Sequence, residues 1–230
     1  MAERRPAAAR LRAASALLAA ALVAFGGVAT AQLQLVPDDD PDLARGWAAY
    51  QANDTKVAFG YFLRAAQRNE RAAQFNLAVM LISGDGVAAD PVQGLVWLRR
   101  AADNGMARAQ YSLAVLTEQG RLLPRSLADA TAWYEKAARQ GWRDAQLAVA
   151  TQYFLGRGAP RDYAVAAYWY ERAAEQGDTG AAYVLASMYE HGDGVPQDAE
   201  RALRWYLEAA ADGEPAARIK AEEMRARQRR

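Results

Sequence analysis

This chain has almost none of the cysteine and histidine residues on which many catalytic and metal sites depend. The sequence has no cysteine and one histidine, His191, which excludes thiolate chemistry, disulfides and the usual zinc ligand sets. His191 follows Glu190 at the predicted end of a helix, where an imidazole is better placed to interact with helical carbonyl groups than to act as a base. Glu222 and Glu223 are neighbours on a predicted helix and do not face each other. We therefore expect no enzyme activity, no cofactor and no metal site.

Two other kinds of segment have an alternative chemical interpretation. Residues 84–87 and 192–195 both read GDGV and could suggest phosphate loops, but no Lys-Ser or Lys-Thr follows them and no strand precedes them. We interpret them as turns. Three successive aspartates at 38–40 could suggest calcium, although the EF-hand spacing and its glycine are missing. We interpret residues 32–41 as a solvated, acidic, proline-containing linker.

Residues 1–31 have the pattern of a secretory signal peptide. An arginine-rich start precedes a small and apolar run over 13–25, and an Ala-x-Ala cleavage site ends at Ala31. The mature chain would then begin at Gln32 and be periplasmic or secreted. The alternative is an uncleaved signal anchor, which is the one case in which we expect membrane contact.

The charge balance argues against a nucleic-acid partner. The formal net charge is +1, and removing residues 1–31 changes it to −2. The exception is the tail over 218–230, with six Lys/Arg against two Glu. We interpret this tail as a solvated polar end, with contact to acidic lipid or protein as the alternative.

A period of 36 residues organises the rest of the chain. Trp97, Trp133, Trp169 and Trp205 recur at this interval, and an alanine pair and a glycine follow each of them in the same register. A fixed period of this length is typical of a repeat array, in which each unit buries its apolar face against its neighbours. We predict an all-α solenoid of paired antiparallel helices. We interpret the tryptophans as packing residues, with an exposed ladder for stacking sugars as the alternative.

The helix boundaries follow from capping residues. Asp54, Asp90, Ser126, Asp162 and Asp198 stand where an N-cap acceptor is needed. We predict one degenerate and four clear repeats over 42–214, then a capping helix and basic tail over 215–230. The third repeat lacks the second glycine of its turn, so we expect a differently shaped loop there. The predicted helices cover 43–50, 54–67, 71–83, 91–104, 107–119, 127–140, 143–155, 163–176, 179–191, 199–212 and 215–227.

These residues resemble the Sel-one-like repeat (SLR) family, a branch of the tetratricopeptide superfamily with units near 36 residues. The family pattern A-x-x-x-L-(G/A)-x-x-Y-x-x-G-x-G-V, D and W-Y-x-K-A-A-x-x-G is clearest in the last complete copy. The resemblance covers about residues 43–217. The matching residues there are Ala181, Leu185, Ala186, Tyr189, Gly192, Gly194, Val195, Asp198, Trp205, Tyr206, Ala209, Ala210 and Gly213.

The resemblance implies a right-handed superhelix that acts as a scaffold or adaptor. Bacterial members are often exported and serve in envelope assembly, signalling regulation or host contact. Peptide-binding relatives use the inner, concave face, which the first helix of each pair lines. We therefore expect a protein or peptide partner in the cell envelope. We also expect a monomer, with a dimer as the alternative if an apolar, uncapped end of the solenoid pairs with itself. Carried over to this chain, the partner-binding residues are Phe75, Val79, Ile82, Arg108, Tyr111, Val115, Glu118, Asp144, Leu147, Thr151, Phe154, Tyr183, Ser187 and Glu190.

Some family members are described as β-lactamase-like or penicillin-binding, which gives the alternative function. A cell-wall or β-lactam-directed hydrolase of that type would need motifs such as S-x-x-K, S-D-N and K-T-G. None is present in this sequence. The residues therefore favour a binding scaffold over a hydrolase.

Overall fold

The computed structural model describes residues 40–228, and the signal peptide and residues 32–39 of the predicted linker lie outside this range. Within it the chain forms eleven helices and no strand. The all-α prediction is confirmed, and the predicted helix ends agree with the observed ones to within two residues. The helices are α1 Pro41–Gln51, α2 Thr55–Gln67, α3 Arg71–Ser83, α4 Pro91–Asp103, α5 Ala107–Gln119, α6 Leu127–Arg139, α7 Arg143–Leu155, α8 Tyr163–Ala174, α9 Thr179–His191, α10 Ala199–Ala211 and α11 Pro215–Gln228.

Short polar side chains begin the second helix of each repeat. The predicted caps Asp54, Asp90, Ser126, Asp162 and Asp198 precede α2, α4, α6, α8 and α10, and each side chain accepts a hydrogen bond from a backbone N–H of the first turn. Those N–H groups have no partner within the helix, so the caps supply the missing acceptor.

The described residues form two compact units, which divide within α5 between Leu113 and Ala114. In the first, Ala58, Phe62 and Leu77 belong to a buried cluster, and α1 to α4 pack in succession. In the second, a larger cluster includes Leu185 and Tyr206, and α6 to α11 pack in succession. The repeated alanines of both clusters are almost wholly buried. Because their side chains are small, they let neighbouring helices approach closely.

Three buried glutamines join successive repeats, a feature that our sequence analysis missed. Gln74, Gln110 and Gln146 stand 36 residues apart and are at most 5% exposed. Each donates its side-chain amide to a carbonyl near the end of the preceding repeat's second helix, with distances of 3.3, 3.0 and 3.2 Å. A helix's last carbonyls have no partner within the helix, so these glutamines satisfy them at the repeat junction.

The last two residues of the predicted linker belong to the folded body. Asp40 caps α1, and Pro41 is its first residue. Arg68, which directly follows α2, donates to both carboxylate oxygens of Asp40, at 2.7 and 2.9 Å, and to Asp42 at 2.8 Å. Hydrogen bonding to Arg68 lowers the pKa of both carboxyls. This cluster fastens the start of α1 to the end of α2.

The prediction of a differently shaped loop in the third repeat is wrong. Leu122 adopts φ +62°, close to the values at the matching glycines, +73° at Gly86, +77° at Gly158 and +72° at Gly194. The loop also keeps the same pair of backbone hydrogen bonds to the last turn of its helix as the other loops. The Leu122 side chain is 45% exposed, so this backbone shape does not force it against neighbouring atoms. The loop therefore keeps the shape at the local energetic cost of a left-handed leucine.

Candidate functional site

The predicted partner-binding residues lie on the first helices of the repeats, α3, α5, α7 and α9. On each helix they are spaced three or four residues apart and share one side, which we call the first-helix face. Phe75 and Ile82 are buried, whereas the other predicted residues are half-buried. Whether they contact a partner stays a prediction. The half-buried residues are Val79, Arg108, Tyr111, Val115, Glu118, Asp144, Leu147, Thr151, Phe154, Tyr183, Ser187 and Glu190.

In the first unit, a half-buried arginine lies over a buried aromatic ring. The guanidinium carbon of Arg108 is 5.0 Å from the centroid of Phe75, which is 3% exposed. Burial lowers the pKa of Arg108, and the described residues place no carboxylate against its guanidinium. A guanidinium has five N–H donors and no acceptor. This side of α3 and α5 therefore presents a partly desolvated cation that is suited to an incoming carboxylate.

In the second unit, Glu118 contributes to packing between helices. Its carboxylate accepts a hydrogen bond from the Tyr134 hydroxyl at 2.7 Å and another from the Gln152 amide at 2.7 Å. One repeat later the Thr151 hydroxyl lies 3.3 Å from that of Tyr170. The tyrosine of each Trp-Tyr pair thus meets a polar group of the first helix.

Glu190 forms the same contact in the last repeat and also meets two cations of α11. It accepts from the Tyr206 hydroxyl at 2.9 Å, and it contacts Lys220 at 3.4 Å and Arg227 at 3.5 Å. Burial acts to raise the pKa of Glu190, but the Tyr206 hydrogen bond and the charge of Lys220 outweigh it, so the pKa is lowered. Burial, followed by the contact with Glu190, raises the pKa of Tyr206.

Aromatic residues of the first-helix face extend the core of the second unit. The ring of Phe154 is 5.3 Å from that of Tyr163 and 6.1 Å from that of Tyr170, and Tyr183 is 5.5 Å from Tyr206. The ring planes of all three pairs are steeply inclined to each other, which is a favoured geometry. Leu147, Phe154 and Tyr183 pack against the same buried cluster. These side chains stabilise the repeats whatever else they contact.

The His191 imidazole lies in the last turn of its own helix, with Nδ1 2.8 Å from the Ser187 carbonyl, as the sequence predicts. Among residues 40–228 no group of three or more His, Cys, Asp or Glu is arranged to hold a metal ion. None of the helices in this range is long and apolar enough to span a membrane.

The tryptophans pack as predicted, to different degrees. Trp133 and Trp205 are buried, at 8% and 7% exposure. Trp97 and Trp169 are half-buried and pack against the cores of their own units. Basic side chains cover three of these rings, with Arg100 4.5 Å from Trp97, Lys136 3.7 Å from Trp133 and Arg204 5.7 Å from Trp205.

Comparison with known proteins relates this geometry to one family. The Sel1 repeat model matches residues 43–70, 71–106, 107–142, 143–178 and 179–214. A protective antigen of uropathogenic Escherichia coli with an SLR fold is similar at 30% identity and a TM-score of 0.70, over 84% of this chain and 43% of that one. A Sel1 repeat protein from Oxalobacter formigenes is similar at 32% identity and a TM-score of 0.68, over 80% of this chain and 54% of that one. The chain thus spans about half the length of these two proteins. No curated protein matches the sequence.

Proposed function

Because the chain belongs to the Sel1 repeat family, whose repeats generally mediate protein–protein interaction, we propose that it is an exported scaffold that binds a protein or peptide partner. The first-helix face is the binding surface in this proposal. Envelope assembly or signalling regulation is the proposed setting, and it rests on the signal-peptide pattern of residues 1–31.

Arg108 is the observation that carries the proposal. Its guanidinium is partly desolvated over Phe75 and has no carboxylate against it among the described residues. Removing a cation from water has a cost, which a carboxylate from a partner would offset. Val79 and Tyr111 add apolar and hydroxyl groups on the same sides of α3 and α5. A peptide with an acidic side chain or a free carboxyl terminus fits this combination.

The test is capture of a partner from an envelope fraction, with the purified chain as bait and cross-linking before washing. We expect one dominant envelope protein, and we expect Arg108→Gln to reduce its recovery by about tenfold, as loss of one partly buried ion pair would. Arg204→Gln is the matched control, since Arg204 also lies over an aromatic ring, but on a second helix.

Three outcomes separate the parts of this proposal. Equal recovery by wild type and Arg108→Gln would contradict the assignment of this face. Equal loss with Arg204→Gln would show that general charge attraction drives recovery. Sequencing the amino terminus of the chain purified from its own cells tests export separately, because a start at Gln32 is expected after cleavage.

A further inference from the structure

The loops that join the two helices of a repeat change their charge along the chain. Loops 84–90 and 192–198 read GDGVAAD and GDGVPQD, and each carries two aspartates. Loops 120–126 and 156–162 read GRLLPRS and GRGAPRD, and each carries two arginines at the same positions of the repeat. The formal charge is therefore +2 for loop 120–126, +1 for loop 156–162, which also holds Asp162, and −2 for loop 192–198.

Three of these loops follow one another along one edge of the second unit. The backbone of Gly158 lies against the Leu127 carbonyl so closely that no side chain would fit between them, and Leu127 directly follows loop 120–126. Gly194 lies equally close to Tyr163, which directly follows loop 156–162. The two basic loops are thus adjacent, and the acidic loop lies next to the second of them.

The four arginines of the basic loops have no carboxylate partner in the described part of the chain. Arg125 donates to the backbone carbonyl of Glu118 at 3.0 Å, and Arg161 lies over the ring of Tyr163 at 5.9 Å. Asp162, which directly follows Arg161, accepts hydrogen bonds from two N–H groups of α8. Arg121 and Arg157 are exposed. The guanidinium groups remain available for bidentate contact with carboxylates.

Two exposed leucines lie among these arginines. Leu122 and Leu155 are 45% and 43% exposed. Leu122 also holds a left-handed backbone, φ +62°, at the position where the other loops have glycine. That conformation has an energetic cost for a leucine, and nearly half of this side chain stays exposed to solvent, so burial offsets only part of the cost. A residue that is both strained and exposed is more typical of a binding surface than of a packing position.

We propose that this edge of the second unit binds a short acidic protein segment that also carries aliphatic side chains. The arginines would pair with its carboxylates, and the leucines would cover its apolar groups. The surface is distinct from the first-helix face, and the proposal does not depend on that face. We call it the basic edge patch, and it consists of Arg121, Leu122, Arg125, Leu155, Arg157 and Arg161.

The adjacent acidic loop favours a narrow peptide over a membrane. A broad anionic lipid surface that contacted both basic loops would also approach Asp193 and Asp198, which would repel it. A peptide can lie across the two basic loops alone. The formal charge changes from positive in loop 156–162 to negative in loop 192–198, which limits how far an anionic partner surface can extend along this edge.

Fluorescence anisotropy of a labelled peptide, in which acidic residues flank two leucines, tests the proposal on the purified full chain at low salt. Arg121→Asp with Arg157→Asp should weaken binding by about tenfold, since two exposed ion pairs become repulsive. The chain already carries aspartate at the same repeat position, at Asp85 and Asp193, so the loops should fold. Arg218→Asp with Arg225→Asp is the control of equal charge, on exposed positions of α11.

The Leu122→Gly variant distinguishes an effect on peptide binding from an effect on folding, because we expect the two to change in opposite directions. It should weaken the peptide several-fold and yet raise the melting temperature, because glycine accepts the left-handed backbone without strain. Three results would overturn the proposal: equal peptide affinity of wild type and the aspartate variant, an equal loss in the α11 control, or an aspartate-sensitive affinity for phosphatidylglycerol vesicles without affinity for the peptide. The last result would assign the patch to a membrane.

Discussion

At the scale of residues, the tyrosine of each Trp-Tyr pair and a group on the preceding helix change together. Tyr134 and Tyr206 donate to Glu118 and Glu190, so hydroxyls that are largely removed from water have charged acceptors. In the second repeat the tyrosine position holds Leu98, and Ile82 replaces the glutamate, both 1% exposed. Either a satisfied polar pair or an apolar pair is stable there, whereas a mixture would leave a buried polar group without a partner.

Glu190→Gln tests this pair through pH. The folded-state pKa of Glu190 is below its ordinary value of 4.5, so its charge stabilises the fold above about that pH and the effect is lost as pH falls through the lowered value. We expect the variant to lose about 1 kcal/mol of unfolding free energy at neutral pH. Urea unfolding followed by circular dichroism at several pH values measures it.

The difference between Glu190→Gln and wild type should shrink as the pH falls. Glu222→Gln is the matched control, because Glu222 is exposed on α11. A difference that stayed constant down to acidic pH would mean that the carboxylate charge does not stabilise the folded state.

Contacts between residues that are a few positions apart in the sequence were predictable, whereas contacts between different helices were not. The five caps bind N–H groups two or three residues ahead, so their sequence context determines their role. Glu118 and Tyr134 are 16 residues apart on different helices, and their contact depends on how the helices pack. The joint change to Ile82 and Leu98 was the available sequence signal.

At the scale of elements, the loops lie directly against the helices of the preceding repeat. A side chain at Gly194 would meet the backbone of Tyr163 and Ala164 at distances that real atoms do not show. At Gly177 a side chain would meet nothing within 4 Å, although its φ of +81° is similar to the +72° of Gly194. A comparison of substitutions at the two glycines therefore distinguishes the cost of backbone strain from the cost of steric crowding.

Gly194→Ala and Gly177→Ala form a matched pair for this contact. We expect Gly177→Ala to cost about 1 kcal/mol, from the left-handed backbone alone. Gly194→Ala should cost roughly 3 kcal/mol, since α8 must also shift away from the loop. Midpoints of denaturant unfolding give both values, and equal costs would contradict the close packing of the loop on α8.

The sequence was sufficient to predict where the helices begin and end, but it did not predict all the contacts that the helices and loops make. Periodic glycines and caps mark where helices begin and end, which explains the agreement of the boundaries. The missing glycine of the third loop led to a wrong prediction, because an exposed Leu122 can take a left-handed backbone. Gln74, Gln110 and Gln146 were missed although they repeat at the same period, since glutamine usually indicates an exposed position.

At the scale of the whole molecule, the 36-residue period predicted both the fold class and the family. The family's repeats follow one another without a gap over residues 43–214, and stacked repeats pack mainly against their neighbours, so a single period in the sequence specifies most of the packing. The binding surface was less predictable, because the same side of a first helix serves two purposes. Glu118 and Phe154 contact neighbouring helices, whereas Arg108 has no carboxylate against it within the described residues.

Site-specific photo-cross-linking in an envelope fraction tests the central claim, that the first-helix face binds the partner. Tyr111, on α5, and Tyr168, on α8, would each be replaced in turn by a benzophenone amino acid. Tyr168 is 49% exposed whereas Tyr111 is half-buried, so random collisions favour position 168. We predict a discrete cross-linked protein from position 111 and none from position 168. The same product from position 168 alone would contradict the assignment and place the partner on the second helices.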